Sequence, residues 1–545
     1  MTGRSLRRAG GALLALAGVA LAAVVAMQFD AVRAAYVRWR HPRVVVVTFD
    51  TLHVGYTGAY NPANADLTPH LDKFAAEGVL FEHAYTTVPI TLPSHTALFT
   101  GQAPAATGVM LNGDQVPDRL TTLAEVFREH GYHTAGFVSL GVLRRDFGIA
   151  QGFDHYDDDQ QERHARWYRT ADEIVDAAVA WLDQVGDEPF FLWVHLSDPH
   201  EPYLVKGAPP DARLALDGEA LGDWSLESKV AHRLDLRLTP GPHTLTWTAL
   251  RPPDKTPDHL VVKLLHTEKS LATVLPDPEA SGVHAYHPLL PSWSLPLVND
   301  GPRDADVRLW FRGALRRPSV AHVRDQYRAE VAYADRHLGQ LRAELERRGL
   351  ESSTTWLLTS DHGEGLFHHD KLGHAGYAYE DQLRVLWILK GPGLPAARRI
   401  GGGPVLVEDM APSLLDAIGL DGALPAHGRS RRTCWTGAGE CAGQPEFWAY
   451  GVSHEQRLGS LAGYRWPFKA IWHHGRTRAH RLDEDADERN DLLRADGDDP
   501  PRELAALTGE LGERLPEFVD LLENRAERAL DDEQTEMLRG LGYLE

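Results

Sequence analysis

Three short apolar runs each lead into an aspartate, and this limits the fold more than any other feature of the chain. Arg43 to Asp50 reads Arg-Val-Val-Val-Val-Thr-Phe-Asp, Phe190 to Leu196 runs into Asp198, and Thr355 to Thr359 runs into Asp361. A strand that is apolar on both faces belongs inside a parallel sheet covered by helices. Helical patterns separate these runs, at Thr68 to Gly78 with Pro69 in the first turn, Thr121 to His130 closed by Gly131, Thr170 to Val185, and Ala321 to Arg348. Further strand-like segments lie at Val79 to Tyr85, Tyr132 to Ser139 and Arg384 to Lys390. The alternation predicts an α/β fold, a mainly parallel sheet with helices on both faces. Ligands of such sheets gather at the carboxyl ends of the strands, where Asp50, Asp198 and Asp361 fall.

Two regions depart from the alternation. From about Gly207 to Gly313, prolines separate period-two runs such as Arg233-Leu-Asp-Leu-Arg-Leu, which predicts an inserted β-sandwich-like domain. A packing role and a glycan-gripping role are both open for it. After about Gly401 come a helix near Val407 to Ile418, a loop holding the cysteines, and strand-like Phe447 to Val452 and Phe468 to Trp472. A charged segment, Leu482 to Leu493, then leads to terminal helices, as expected of a small α+β subdomain. The expected division is 1–40 as cytoplasmic tip, membrane anchor and stalk, 41–206 with 314–425 as catalytic domain, 207–313 as insert, and 426–545 as C-terminal subdomain.

The anchor is Ala9 to Met27, an uncharged Ala-, Leu- and Val-rich run just long enough to cross a bilayer, preceded by Arg4, Arg7 and Arg8. No clean cleavage site follows it, which favours an uncleaved anchor over a signal peptide. Cys434 and Cys441, the chain's 2 cysteines, lie close enough to bridge in an oxidising compartment, so a membrane-anchored, extracytoplasmic (periplasmic-type) catalytic domain is expected. The net charge of −21 argues against a nucleic-acid partner. It leaves an anionic substrate open, because a bound cation reverses the field locally.

The chemistry is carried by three separated segments. Asp50 ends the first strand, Thr91 precedes a short helix reaching Gly101, and Ser360-Asp-His-Gly-Glu-Gly365 ends a later strand in a glycine-rich turn. Asp50, Thr91, Asp361 and His362 offer two carboxylates, a hydroxyl and an imidazole, a plausible set for one divalent cation. Zn²⁺ is favoured over Mn²⁺ or Ca²⁺ because of the histidine. The cation would lower the pKa of the Thr91 hydroxyl for attack. Helix-start amides after Pro93 would hold non-bridging oxygens. His200, His369 and His374 are candidates to protonate the leaving oxygen.

Taken together, Thr91-x-Pro-x-His95 before Thr96-Ala-Leu-Phe-Thr-Gly101, Val47-Thr-Phe-Asp50-Thr, Thr68-Pro-His-Leu-Asp72, Asp198-Pro-His200-x-Pro-Tyr203 and Ser360-Asp-His-Gly-Glu-Gly365 resemble the sulfatase family of the alkaline phosphatase superfamily. Asp483 to Leu492 looks like its usual end segment. The resemblance implies a metal-dependent ester hydrolase, with His200 and His374 at the transferred group or leaving oxygen. His95 stands where the family's motif has a substrate-binding arginine. His369 is a further substrate-binding candidate, and His368 beside it is an alternative.

The departures shape the expected activity. Sulfatases oxidise Cys or Ser at the nucleophile position to formylglycine, and Thr91 cannot give that aldehyde because its β-carbon carries a methyl. Thr51 replaces a second metal-binding aspartate, and Phe137-Val-Ser-Leu-Gly141 replaces a sulfate-contacting stretch. The spacing of Asp198 and His200 differs from the Asp-x-x-x-His of two-metal relatives, so one cation is expected. The expected activity is cleavage of phosphate mono- or diesters, or phospho transfer, through Thr91. The alternatives are sulfuric ester hydrolysis on sulfated glycans or, further off, a non-catalytic glycan-binding protein. The expected partners are an anionic ester, on a glycan or a lipid headgroup, and the membrane.

Overall fold

The computed structural model describes residues 32, 36, 39–41 and 43–543, excluding 161–166, 202, 204–211, 225–230, 250–258, 268–283, 287–291, 300, 317–319, 438–440, 442, 455–456, 495–499, 524–529 and 542. An eight-stranded sheet forms its centre, in the spatial order Arg398–Ile400, Val79–Phe81, Trp387–Lys390, Thr354–Ser360, Arg43–Phe49, Phe190–Leu196, His133–Phe137, His155–Asp157. Arg43–Phe49 runs parallel to both neighbours, with Phe49 opposite Ser360 on one side and Leu196 on the other. Trp387–Lys390 is antiparallel to both of its neighbours. The α/β class and the mainly parallel sheet therefore stand as expected.

The valine run shows why this strand is central. Val44 and Val46 join one core with Leu92, Leu98 and Phe99 of the helix Thr91–Thr100. Val45 and Val47 join the opposite core with Tyr327, Leu338 and Leu341 of the long helix Val320–Arg347. Each fully buried valine contributes about 1.5–3 kcal/mol relative to exposure, and the period-two alternation serves both cores at once.

Several local expectations needed correction. Val79 to Tyr85 is two strands, because Glu82 and His83 turn the chain; Ala84–Tyr85 belongs to a separate three-stranded sheet with Arg384–Val385 and Val405–Leu406. Arg384 to Lys390 is likewise divided at Leu386, whose N–H donates to Ser360 Oγ at 3.2 Å and whose carbonyl accepts from Thr359 Oγ1 at 2.8 Å. Thr68 stands at the N-cap without a side-chain bond to the helix amides; its hydroxyl accepts from Gly58 N–H at 2.8 Å and donates to Asp72 at 3.0 Å. The carboxylate of Asp335 meets the first turn instead, accepting from His70 and Leu71 N–H at 3.0 and 2.8 Å.

Residues 212–316 carry two four-stranded antiparallel sheets. Asn299 of one sheet donates to the Leu238 carbonyl of the other at 2.9 Å. Toward the C-terminus, Glu446–Ser453, Arg457–Arg465, Phe468–His473 and Arg476–Arg481 form a four-stranded antiparallel meander. Cys434 and Cys441 form a disulfide. Ala9 to Met27 lies outside the described residues, among which no helix is long and apolar enough to cross a membrane.

One buried ion network fastens the meander to the three-stranded sheet. Lys469 Nζ lies 2.6 Å from Glu488 Oε1 and 3.1 Å from Glu380 Oε1, and Tyr464 and Tyr85 donate to Glu380 at 2.6 and 3.0 Å. Lys469 is fully buried. Removing one partner of such a network leaves uncompensated charge in a medium of low dielectric. Lys469→Ala is expected to cost about 3–5 kcal/mol of unfolding free energy, read by denaturant titration. A loss under about 1 kcal/mol would mean that the network is not a fastening.

Candidate active site

The parallel register brings the site together. Asp50 N–H donates to the Leu196 carbonyl at 2.9 Å, and Asp361 N–H donates to the Phe49 carbonyl at 3.2 Å. Two carboxylates from distant parts of the chain therefore emerge side by side where neighbouring strands end. Thr51 follows Asp50 with φ 56°. This left-handed conformation costs about 1–2 kcal/mol and aims the Thr51 N–H at Asp361 Oδ1, at 3.1 Å. The glycine after His362 is required by space, since a Cβ on Gly363 would stand 2.1 Å from the Asp381 carbonyl oxygen.

Side-chain oxygens of Asp50 and Asp361 and a ring nitrogen of His362 lie within 4.8 Å of one another, and all three residues are buried. Among the described residues, both Asp50 oxygens, Asp361 Oδ2, His362 Nε2 and Thr91 Oγ1 are buried without a hydrogen bond. His362 Nδ1 faces the Gly363 carbonyl at 3.0 Å, which requires the proton on Nδ1 and leaves the Nε2 lone pair facing the carboxylates. Burial works against charge on Asp50. His195, 3.3 Å away, and the neighbouring His200 and His362 nonetheless hold its carboxyl below the ordinary range. Burial and the charge of Asp50 push Asp361 well above it. Burial, reinforced by His374, keeps His362 neutral. Orphaned carboxylate oxygens and an imidazole lone pair gathered in a buried pocket, with the unpaired Thr91 hydroxyl as a further donor, fit a divalent cation, for which the pocket supplies both ligand atoms and compensating charge.

Thr91 is the first residue of Thr91–Thr100, a helix buried along its whole length and closed by Gly101 in the left-handed region. Ser94 Oγ donates to the Asp361 carbonyl at 2.7 Å, fastening this helix to the Asp361 turn. Of the amides after Pro93 expected to cradle oxygens, Ser94 N–H is taken by the Ile90 carbonyl at 3.1 Å.

The histidines sort themselves by their partners. His95 has both ring nitrogens committed, Nδ1 to the Thr91 carbonyl at 2.8 Å and Nε2 to Thr48 Oγ1 at 3.0 Å. Burial, then His195, lowers its pKa to about 3. The substrate-binding expectation for His95 therefore has no free ring nitrogen behind it: the ring braces the helix Thr91–Thr100. His369, the other substrate-binding expectation, stacks on Tyr379 with centroids 4.1 Å apart and turns Nε2 toward Glu488 at 3.6 Å. Its neighbour His368 stacks on His53.

His200 and His374 do meet, with ring centroids 5.0 Å apart. His374 also packs against His362, centroids 4.5 Å apart. Burial disfavours charge on His374, but Glu364, 3.3 Å from Nδ1, raises its pKa above the ordinary value; burial lowers that of His200 despite Asp50. Asp198 serves the fold, accepting from the Ala171 N–H at 3.0 Å.

Three participants were not anticipated. His195 touches Asp50 and holds Ser139 Oγ through Nδ1 at 2.8 Å. Glu364 stood in a recognised motif without a role, and the hydroxyl of Tyr543 sits between His200 and His374 at 2.9 and 3.3 Å. A histidine inside the apolar strand Phe190–Leu196 was the one available signal for His195; Tyr543 had none.

This geometry sets a buried cluster of carboxylates, imidazoles and a hydroxyl at the carboxyl ends of a mainly parallel sheet, and comparison with known proteins supplies the family. A family model described as Sulfatase matches residues 42–420, so the chain belongs to the sulfatase family. It is 25% identical over 386 residues to an ulvan-active sulfatase of Formosa agariphila, covering 69% of this chain and 61% of that protein. It is 25% identical over 399 residues to arylsulfatase K of Rattus norvegicus, covering 70% and 60%. The chain thus spans about three fifths of the length of these relatives. Among solved structures, a 2-O GAG sulfatase superposes with a TM-score of 0.57 at 16% identity, covering 92% of this chain and 96% of that one. A phosphonate monoester hydrolase of Agrobacterium radiobacter gives 0.56 at 17%, covering 90% and 98%.

The donor set predicts about one equivalent of divalent cation per chain and a rise in thermal midpoint when it binds. Asp50→Asn and Asp361→Asn should each abolish both effects, read by elemental analysis after dialysis and by thermal melts. Wild-type protein that stays metal-free and unstabilised with Zn²⁺, Mn²⁺ and Ca²⁺ would remove the cation from the scheme.

Proposed function

We propose that this chain is a metal-dependent hydrolase of anionic esters in which Thr91 attacks the central atom of the ester. The observation that carries the reading is the Thr91 hydroxyl itself, buried, without a hydrogen bond and packed beside Asp361 through Ser94 and His95. Asp50, Asp361, His362 and Thr91 would hold the cation, whose chemistry is to stabilise charge on the transferred group and lower the pKa of the hydroxyl. His374, 3.3 Å from Glu364, would protonate the leaving oxygen. A cavity of about 250 Å³, lined in part by Asn112, Glu201, His374, Tyr377 and His454, would receive the organic part of the ester.

Two observations bear on the central atom. The relatives favour a sulfate ester of a glycan, since they include an ulvan-active sulfatase and a 2-O GAG sulfatase, and this reading has the wider support. The phosphate ester expected from the sequence is supported by Thr91, which has no route to formylglycine, and it matches none of the sulfatase relatives. It is compatible with a scaffold shared with a phosphonate monoester hydrolase. An extracytoplasmic, membrane-anchored location is part of the proposal and is consistent with the Cys434–Cys441 disulfide.

Purified protein should be assayed on an aryl phosphate, a phosphodiester, an aryl sulfate and a sulfated oligosaccharide, with and without chelator. Turnover of sulfate esters alone would reject phosphorus chemistry, and turnover of phosphorus esters alone would reject the glycan-sulfatase reading. Thr91→Ala should lower kcat by about 10³-fold or more, as expected when a nucleophile is removed. A variant that keeps its turnover would refute attack by Thr91.

A further inference from the structure

A basic strip leads away from the active-site cavity in a chain whose net charge is −21. It begins at Tyr377, which lines the cavity together with His374 and Asn112. The Lys371 ammonium lies over the Tyr377 ring, 4.9 Å from its centroid. The ring of His473 packs against Tyr377 as well, with centroids 4.9 Å apart, and its Nδ1 meets the Gly459 carbonyl at 2.7 Å. Tyr379 stacks beside Tyr377 at 6.2 Å, and Arg478 Nη1 donates to the Tyr379 hydroxyl at 3.4 Å.

A hairpin of the C-terminal meander carries the far part of the strip. Phe468–His473 and Arg476–Arg481 pair with His473 opposite Arg476 and Ile471 opposite Arg478. Side chains two apart on a strand, or directly opposite across a pair, share one face. His473, Arg476 and Arg478 therefore stand on the face where Ile471 joins the core that holds Tyr379. The turn between the strands is tight, because His474 and Gly475 both take left-handed backbone, with φ 46° and 78°. Arg476 is exposed, and Tyr377, Lys371 and Arg478 are half-buried.

The cations of this strip differ from others nearby in their pairing. Arg465 lies within reach of Glu446 and Glu510, and Arg481 of Asp483 and Glu484. Among the described residues, no carboxylate forms an ion pair with Lys371, Arg476 or Arg478. Three uncompensated cations set around aromatic rings offer donors to anionic groups and ring faces to sugars. Their continuity with the cavity proposed for the organic part of the ester says which molecule meets them.

We infer that Lys371, Arg476 and Arg478, grouped around Tyr377 and His473, form a binding site for anionic groups of the substrate other than the ester that is cleaved. The substrate is then a glycan bearing several anionic groups, with one unit in the cavity and its neighbour along the strip. The assignment to a substrate rests on the ester-hydrolase reading, while the charge and ring geometry stand apart from it. Attraction across water to half-buried and exposed cations is screened by salt, so this recognition weakens as ionic strength rises.

The test titrates the full-length, metal-loaded chain by calorimetry with a heparin tetrasaccharide, a tetragalacturonate and neutral maltotetraose. The two anionic glycans separate sulfate from carboxylate as the group recognised. The wild type should bind at least one of them more tightly than maltotetraose, with a preference that shrinks as salt is raised. Lys371→Gln combined with Arg476→Gln should keep the thermal midpoint and raise Kd for the preferred glycan about tenfold. Arg476→Gln alone, on an exposed side chain, should raise it about threefold and decides the matter if the pair lowers the midpoint. Arg398→Gln, which removes an exposed arginine from the edge strand of the central sheet, should leave Kd unchanged. The site is overturned by an unchanged Kd in the strip variants, by an equal loss in Arg398→Gln, or by wild type that does not distinguish anionic from neutral glycans. Tighter binding of a thymidine tetranucleotide than of either anionic glycan overturns it too. If the wild type cleaves no ester yet binds an anionic glycan through the strip, the hydrolase reading fails and the binding site stands. If it cleaves esters while the strip variants bind as wild type, the strip alone fails.

Discussion

Two buried carboxylates at the ends of adjacent strands, Asp50 and Asp361, set the terms for everything around them. Held within 4.8 Å of each other's ligand atoms, two full charges would repel by roughly 3–4 kcal/mol at an effective dielectric of about 20. The fold meets this cost with hydrogen bonds from Thr51 and His362 N–H to Asp361 and with the His195 ring 3.3 Å from Asp50, yet leaves one oxygen of Asp361 and both of Asp50 without a hydrogen bond. A site that spends backbone strain at Thr51 to aim an amide, but leaves its outward oxygens unsatisfied, is one that the proposed cation would complete. The histidines follow the same logic. Those facing the carboxylates keep a lone pair or a movable proton inward, and those whose nitrogens are consumed, such as His95, have become part of the wall.

How much of this was legible in the sequence follows from which forces act locally. The strands that end in Asp50 and Asp361 were readable because burial on both faces leaves an unbroken apolar run, and the helices because their caps and periods lie within one segment. The convergence of Asp50, Asp361 and His362 was also readable, since the carboxyl ends of parallel strands in one sheet must share an edge. What the sequence hid is what depends on packing between distant pieces. His95 and His369 carry the right chemistry at motif positions, but their ring nitrogens are spent on Thr48 and the Thr91 carbonyl in one case and turned toward Glu488 in the other. Val79 to Tyr85 reads as one strand until Glu82 pairs with Arg399 and turns the chain at the surface. Tyr543 carries no local pattern, and only the docking of the terminal helix gives it a place.

The same distinction explains why family membership and residue chemistry point in different directions on the substrate. Fold and motif order are properties of the whole scaffold, and they align this chain with enzymes that act on sulfated glycans. The reacting atom is a property of one position, and at that position a β-methyl rules out the aldehyde on which formylglycine chemistry depends. A scaffold that presents a cation site and an activated hydroxyl is indifferent to whether sulfur or phosphorus sits at the centre of the ester, because both present tetrahedral, anionic oxygens to the same donors. The discriminating elements are therefore the groups that manage protons around Thr91. A formylglycine hydrate carries a second hydroxyl that can expel the bound group; a threonine has none, so the intermediate must be opened by water with proton traffic supplied from outside the nucleophile. His200, His374, Glu364 and Tyr543 cluster together as protonatable groups, which the proposed attack by Thr91 would require.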